Sequence, residues 1–321
     1  MTTPAAMTVS YNNLLARVGR FLFGQRSGYS DSETSDIEDC IQDGLRTVYT
    51  AHDWSFFKPI EDITTTAPYT TGTITVVDGV VTLLTGTFPS WAAAGILKAD
   101  DGYYSVASRD GDTQVTLDDT SVDIDAGTTY ELARPEIPMD AAFEAVSGDS
   151  DLTYYPDQNE LYPPVKMRHD VAIRTWQQND PYFDRPIYYS VRTVEFDPTV
   201  GSRKVLAFYP APDAAYVLRV PMILRPTMID ADNLYPVGGE TLAAVITEAC
   251  LSAAESNLDD GEGIHKKRFL ELLPLAIRAD QEKSSPTSLG PDGTRSGRIG
   301  MSGYWSRAAR MGTVSLDGVD L

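Results

Sequence analysis

The sequence predicts an α+β protein. Its body is a helical bundle carrying β-hairpin strands, with an inserted small β-barrel or β-sandwich domain and an extended C-terminal tail. Three observations predict this. Apolar residues recur at helical intervals toward both ends of the chain, they switch to period two in between, and beyond about residue 285 no apolar period remains. The divisions that follow are a first part of the helical body at 1–67, a β-domain at 68–134, a second body part with strands at 135–285, and an arm at 286–321. At 321 residues the chain is long for one compact domain, and 42% hydrophobic content is enough for real cores.

The first helix is expected over residues 10–23. Ser10 can cap it, and Leu14, Leu15, Val18, Phe21 and Leu22 fall on one face. Its two arginines and short length favour a packed helix over one lying in a membrane interface. For the second helix, Ser35 and Glu38 have capping-box spacing, and Ile37, Ile41, Leu45 and Val48 repeat behind them. An aromatic cluster, HDWSFFKP, follows, and Pro59 marks a point where the helix has already ended. In TITVVDGVVTLL two β-runs flank Asp78-Gly79, the pair that tight hairpins favour. Further runs at 96–99, 103–107, 113–117 and 130–133 bring the expectation to six short strands, a small sandwich or barrel.

After Pro138 the body resumes. In VKMRHDVAIRTWQQND, Val165, Arg168 or His169, Ala172 and Trp176 have helical spacing, which predicts a helix that ends before Pro181. RPIYYSVRTVEF and SRKVLAFYPAPDAAYVLRVPMIL are β-runs with a turn near 198–202, and Pro210 and Pro212 divide the second. Two helices close the body. Leu242, Val245, Ile246, Ala249, Cys250 and Ala253 stripe one; Ile264, Arg268 or Phe269, Leu272, Leu273, Ala276 and Ile277 stripe the other, which Pro274 should kink. The short loop NLDDGEG makes them an antiparallel pair.

No catalytic or cofactor motif stands out: the chain has no GxSxG, HExxH, CxxC, P-loop or glycine fingerprint after a strand. His52, His169 and His265 lie on or beside helical segments, far in sequence from any nucleophile, and read as ordinary imidazoles. Cys40 and Cys250 fall within helical apolar patterns and read as two buried thiols. The acidic stretches at 259–262 and 123–125 lack the ligand run of a calcium loop and read as solvated turns. No cofactor and no metal is therefore expected. Nothing approaches the roughly 18 consecutive apolar residues of a membrane span, and no secretion signal is expected.

Charge and aromatic content point to assembly. The net charge is −20; residues 286–321 hold four Arg and three Asp, which leaves 22 basic and 43 acidic side chains before them, a net −21. Such a body repels nucleic acid at long range. Of the 17 Tyr and 4 Trp, many lie beside prolines, as in TYYPDQNELYPP and DPYFDRPIYYS, a composition shared by sugar platforms and protein interfaces. The tail reverses the local charge and sets Tyr304 beside Trp305. Arg298, Tyr304, Trp305, Arg307 and Arg310 are the candidate partner-binding residues, because an exposed indole needs a pocket and arginines seek acids.

The order of parts resembles the head-to-tail adaptor proteins of tailed bacteriophages, including the tail-tubular ring proteins of short-tailed phages. The resemblance covers roughly residues 10–283 and is carried by the order of WSFF, a β-insertion closing on YELARPEIPMD, FDRPIYYSVR, LAFYPAPDAAYVLRVPMILRP and HKKRFLELLPLAIRAD. Arg185-Pro186 with Tyr188-Tyr189, and Pro210-Ala211-Pro212 leading into a strand, are its most specific pieces. It implies a non-enzymatic virion protein, a dodecameric ring in the neck between head and tail that is present in the host cytoplasm during assembly. The implied partners are the portal protein, the next neck or tail protein and further copies of itself. DNA is only non-specific passing cargo, and no membrane is involved. A tail-terminator or stopper ring shares most of this physics, and a carbohydrate-binding tail component is the more distant alternative.

Overall fold

The computed structural model describes residues 8–148, 150–155, 162–197, 201–226, 228–258 and 263–283, with two short stretches at 315–316 and 319–320. The chain opens with α1 (Tyr11–Phe23) and α2 (Asp31–Thr50), followed by β1 (Ile60–Thr64). A run of strands comes next: β2 (Ile74–Val77), β3 (Val80–Leu83), β4 (Ile96–Ala99), β5 (Gly102–Arg109), β6 (Gln114–Leu117), β7 (Ile124–Thr128) and β8 (Tyr130–Ala133). Then come β9 (Glu136–Pro138), β10 (Phe143–Val146), β11 (Thr153–Tyr154), β12 (Lys166–Met167) and α3 (Asp170–Asn179). Three long strands follow, β13 (Tyr188–Asp197), β14 (Gly201–Tyr209) and β15 (Val217–Leu224), before α4 (Gly239–Leu258) and α5 (Ile264–Lys283). In the tail Ser315–Leu316 pairs antiparallel with Val319–Asp320.

The helical-bundle body is overturned. Helices α1, α2, α4 and α5 do pack around one core, but the body also holds two four-stranded sheets, and a seven-stranded sheet makes the third β-layer. In the body, β1, β10 and β11 all pair with β15, while β9, β14, β13 and β12 form the other sheet. The two sheets share a core of Phe143, Val146, Tyr189, Leu206, Phe208, Leu218 and Met222. Residues alternate across it. Leu206 and Phe208 face that core, whereas Ala207 and Tyr209 turn to Ile173 and Trp176 of α3 on the outside. The body strands that the sequence hid are too short to show a period. They cover the edges of β13–β15, whose unpaired backbone groups would otherwise be left open.

Two helix boundaries also move. The capping box forms at Ser30 and Glu33, so α2 starts at Asp31. Ser35 instead bonds the Asp31 carbonyl inside the helix, and Glu38 receives the Tyr11 hydroxyl. The helix expected from Val165 onward begins at Asp170 with His169 as its N-cap; Val165 bridges Leu152, and Lys166–Met167 runs parallel to β13. Val165 matched the helical spacing by chance, since it is buried in the sandwich core.

Within the helical group, α2 and α4 touch at Gly44. A Cβ there would stand 2.6 Å from the Cys250 Cα and N, so a side chain would force the helices apart. Trp54 is 1% exposed and donates its indole N–H to the Val48 carbonyl at 2.9 Å. Asp280 of α5 accepts from the Ser55 backbone N–H at 2.9 Å and the Ser55 hydroxyl at 2.6 Å, which ties the end of α5 to the turn after α2.

Between β1 and β9 the seven-stranded antiparallel sheet has the order β7-β2-β3-β6-β5-β4-β8. Strands from both ends of that order, with Ile74, Ile124, Leu97 and Leu132, contribute to one core, so the sheet curls round itself. The β2–β3 hairpin turns at Asp78 (φ 49°) and Gly79 (φ 74°), as its sequence predicts. Where six strands were expected, β7 is the addition. The acidic stretch at 123–125 enters it, and Asp123 accepts the Asp78 N–H at 2.9 Å.

Candidate interaction surfaces

The first surface is a basic groove of about 740 Å³ between α1, α4 and the start of α5. Helix α1 is fixed at both ends. Ser10 accepts the Asn13 N–H, and Gly24 in the left-handed region donates its N–H to the Arg20 carbonyl. Leu14 and Val18 point into the core, which leaves Asn13, Ala16, Arg17, Arg20 and Phe21 along the groove. The chain then folds back because Tyr29 lies across α1 at Gly19, where a Cβ would meet the phenol oxygen at 2.3 Å. The Tyr29 hydroxyl donates to the Gln25 carbonyl at 3.0 Å, and this return places Arg26 at the groove. Burial and the nearby Glu33 push that hydroxyl above its ordinary pKa, so it stays a donor.

The far wall comes from α4 and α5. Glu255 caps α5 by accepting the Ile264 N–H at 2.9 Å and the His265 N–H at 3.2 Å. His265 Nδ1 lies 2.8 Å from Glu248, and its ring meets Phe21 edge-on at 5.3 Å. Phe21 is 36% exposed and Phe23 38%. The groove therefore joins three guanidinium groups to a partly exposed aromatic ring. It can take a carboxylate-bearing surface or a phosphate.

Arg17, Arg20 and Arg26 form no ion pair with any described residue. By contrast Arg46, Arg109, Arg174, Arg219, Arg225 and Arg278 each sit on a carboxylate. The sequence alone does not single out these three as a binding group. A signal was present: residues 1–30 hold three arginines and no acid, while residues 31–43 hold six acids and no base.

The second surface is the tyrosine-rich flank of the sandwich. The Arg185 guanidinium stands 4.3 Å from the Tyr162 ring centroid and 6.0 Å from that of Tyr154. Tyr154, Tyr162 and Tyr216 meet edge to face, with centroids 5.2 to 6.3 Å apart. Tyr154 donates to the Pro186 carbonyl at 2.7 Å and Tyr216 to Asp213 at 2.8 Å. Burial raises the pKa of both phenols, and for Tyr216 the Asp213 hydrogen bond adds to it. Across the sheet Trp176 packs on Tyr188 and Tyr209, with Arg168 over Tyr188 at 4.9 Å. These rings are occupied with one another, so the tyrosine surplus first stiffens the sandwich. Tyr155, 52% exposed beneath Arg219, is the member that faces outward.

The other sequence-predicted residues fall as follows. Arg298, Tyr304, Trp305, Arg307 and Arg310 lie outside the described residues, as does the acidic stretch 259–262. His52 packs edge-on against Trp54 and stands 3.7 Å from Asp280, whose oxygens Ser55 already engages. Cys40 and Cys250 are buried free thiols whose pKa values burial raises, which suppresses thiolate reactivity. Among the described residues no cluster of three or more His, Cys, Asp or Glu could hold a metal, and no helix is long and apolar enough to cross a membrane. No family model matches the chain, and no curated protein matches it.

Proposed function

We propose that the chain is a virion structural protein of a tailed bacteriophage, a ring that joins the portal to the tail and continues the DNA channel. The resemblance in the order of parts motivates this reading. The observation that carries it is the division into separate cores: the curled sheet, the sandwich and the helical group each enclose their own apolar residues. The curled sheet meets the sandwich through a small cluster of Ile96, Ala133, Tyr103, Phe183 and Ala211. An adaptor needs this build, since it must present different rigid surfaces to different neighbours. The chain's net charge of −20 suits a conduit, because passing phosphates are repelled from its wall.

The portal contact is assigned to the tail, with Tyr304 and Trp305 as aromatic anchors and Arg298, Arg307 and Arg310 as charge partners. Weak individual anchors suffice when many copies in a ring engage together. Negative-stain imaging of the full chain with and without portal tests the reading. Rings seated on the portal are expected, and their absence under both conditions would sink it. Truncation after Ser285, and the Trp305→Ala, Arg307→Ala double variant, should fold normally and lose portal attachment. Loss of a buried Trp anchor weakens binding by more than about tenfold per site. Attachment at the wild-type level by the truncated chain would remove the tail from the contact.

A further inference from the structure

We infer that the basic groove of one copy receives the outer face of α2 of a second copy, so that the chain associates head to tail. This rests on the ring reading and adds to it the two faces that meet.

Charge is segregated between two neighbouring helices. Arg17, Arg20 and Arg26 line the groove with no ion pair to any described residue, in a chain with a surplus of acids. On α2 the apolar stripe of Ile37, Ile41, Leu45 and Val48 is buried, and Asp36, Asp39 and Asp43 are exposed on the opposite side. No residue of α2 lines the groove. Within one molecule α1 and α2 are packed core to core, so the basic groove and the acidic face cannot close on each other. A second copy can bring them together.

The spacing agrees. Arg17 and Arg20 are three residues apart on α1, as are Asp36 and Asp39 on α2, a rise of about 4.5 Å in each case. Two helices laid alongside one another therefore match both pairs at once. Asp43 keeps Arg46 at 2.7 Å and needs no partner. The exposed ring of Phe21 adds an apolar contact beside the charges. Because the two patches differ, the contact is heterologous, and repeating it generates a closed ring when the rotation closes. A phosphate backbone is the lesser fit, since the chain as a whole repels it.

Sedimentation of the full chain over a range of concentrations tests the contact, using R17E/R20E and D36R/D39R. All four side chains are exposed, so both variants should keep the wild-type circular dichroism and melting transition. Each alone should self-associate on the order of a hundredfold more weakly, because like charges then face each other. Mixed in equal amounts they should regain assembly, since the reversed groove matches the reversed helix. Wild-type assembly by either variant alone, or folded variants that fail to rescue one another, would overturn the contact. So would loss of duplex DNA binding by R17E/R20E with assembly unchanged. Rings whose mass neither variant alters would place the contact elsewhere while leaving the ring reading intact. A wild-type chain that stays monomeric at every concentration also overturns the contact, and imaging on the portal then decides the ring reading by itself.

Discussion

The curled sheet and the rest of the molecule build their cores in opposite ways. In the sheet every buried core residue falls between Ile74 and Leu132, and the pairings β2–β3, β4–β5 and β5–β6 join strands that follow one another in the chain. The helical group draws its core from Val9 to Phe57 and again from Ile229 to Ala276. Its close approach of Gly44 to Cys250 joins parts of the chain that are remote in sequence. The difference teaches where cooperativity should lie. A core drawn from one continuous stretch of chain can form by itself, whereas the helical group exists only when both ends of the chain arrive.

The largest expected effect breaks the two apart. Trp54 is almost fully buried among helical-group residues, and its indole satisfies the Val48 carbonyl. Trp54→Ala should cost about 3–5 kcal/mol, because it leaves a cavity and reduces the Val48 carbonyl to its bond from the Ala51 N–H. The curled sheet encloses a separate set of buried residues, so calorimetry should show one transition falling and another holding its temperature. A single transition that falls as a whole would make the molecule one cooperative unit.

The same contrast explains how much could be read in advance. The Asp78-Gly79 turn, strands β4 and β8, the stripe of α4 and the start of α1 were legible because their signals are local. Strands β1, β10 and β12 were not. Each is two to five residues long and becomes a strand only by pairing with β13 or β15, as Asp62 does opposite Arg219 at 3.1 Å. The groove was half legible. Its arginines stand in an acid-free run, but the wall supplied by Leu251 and His265 arrives from across the fold.

A smaller effect should separate the sandwich from the curled sheet at alkaline pH. Burial, with Asp180 nearby, pushes the Tyr209 phenol from 10.0 up to about 12, and burial also raises Tyr154 and Tyr216. The folded state thus holds these protons at a pH where the unfolded chain has released them. Stability is unaffected below pH 10 and falls as the pH rises beyond it toward 12, where Tyr209 also releases its proton in the folded state. The curled sheet has Tyr130 as its one strongly raised phenol. Near-ultraviolet circular dichroism against pH should therefore show the Tyr-rich sandwich loosening before the sheet. Loss of both at one pH would mean that the sheet does not stand apart.

The smallest effect is expected from removing the curled sheet altogether. Its chain enters and leaves side by side: the Tyr69 N–H bonds the Leu132 carbonyl at 2.8 Å, and the reverse bond is 2.9 Å. Both stumps are anchored without it. The Thr65 N–H reaches the Tyr216 carbonyl at 2.8 Å, and the Pro135 carbonyl accepts the Phe208 N–H at 2.8 Å. Deleting residues 68–134 and joining the ends with a short glycine linker uncovers Ala211 and part of Phe183, an apolar area whose loss should cost about 1 kcal/mol. The shortened chain should then melt cooperatively at nearly the temperature of the corresponding wild-type transition. Because the groove and the outer face of α2 are untouched, it should also self-associate as the full chain does. Insolubility, or a non-cooperative melt, would show that the sheet supports the body it is inserted in, and that its separate core is not a separate folding unit.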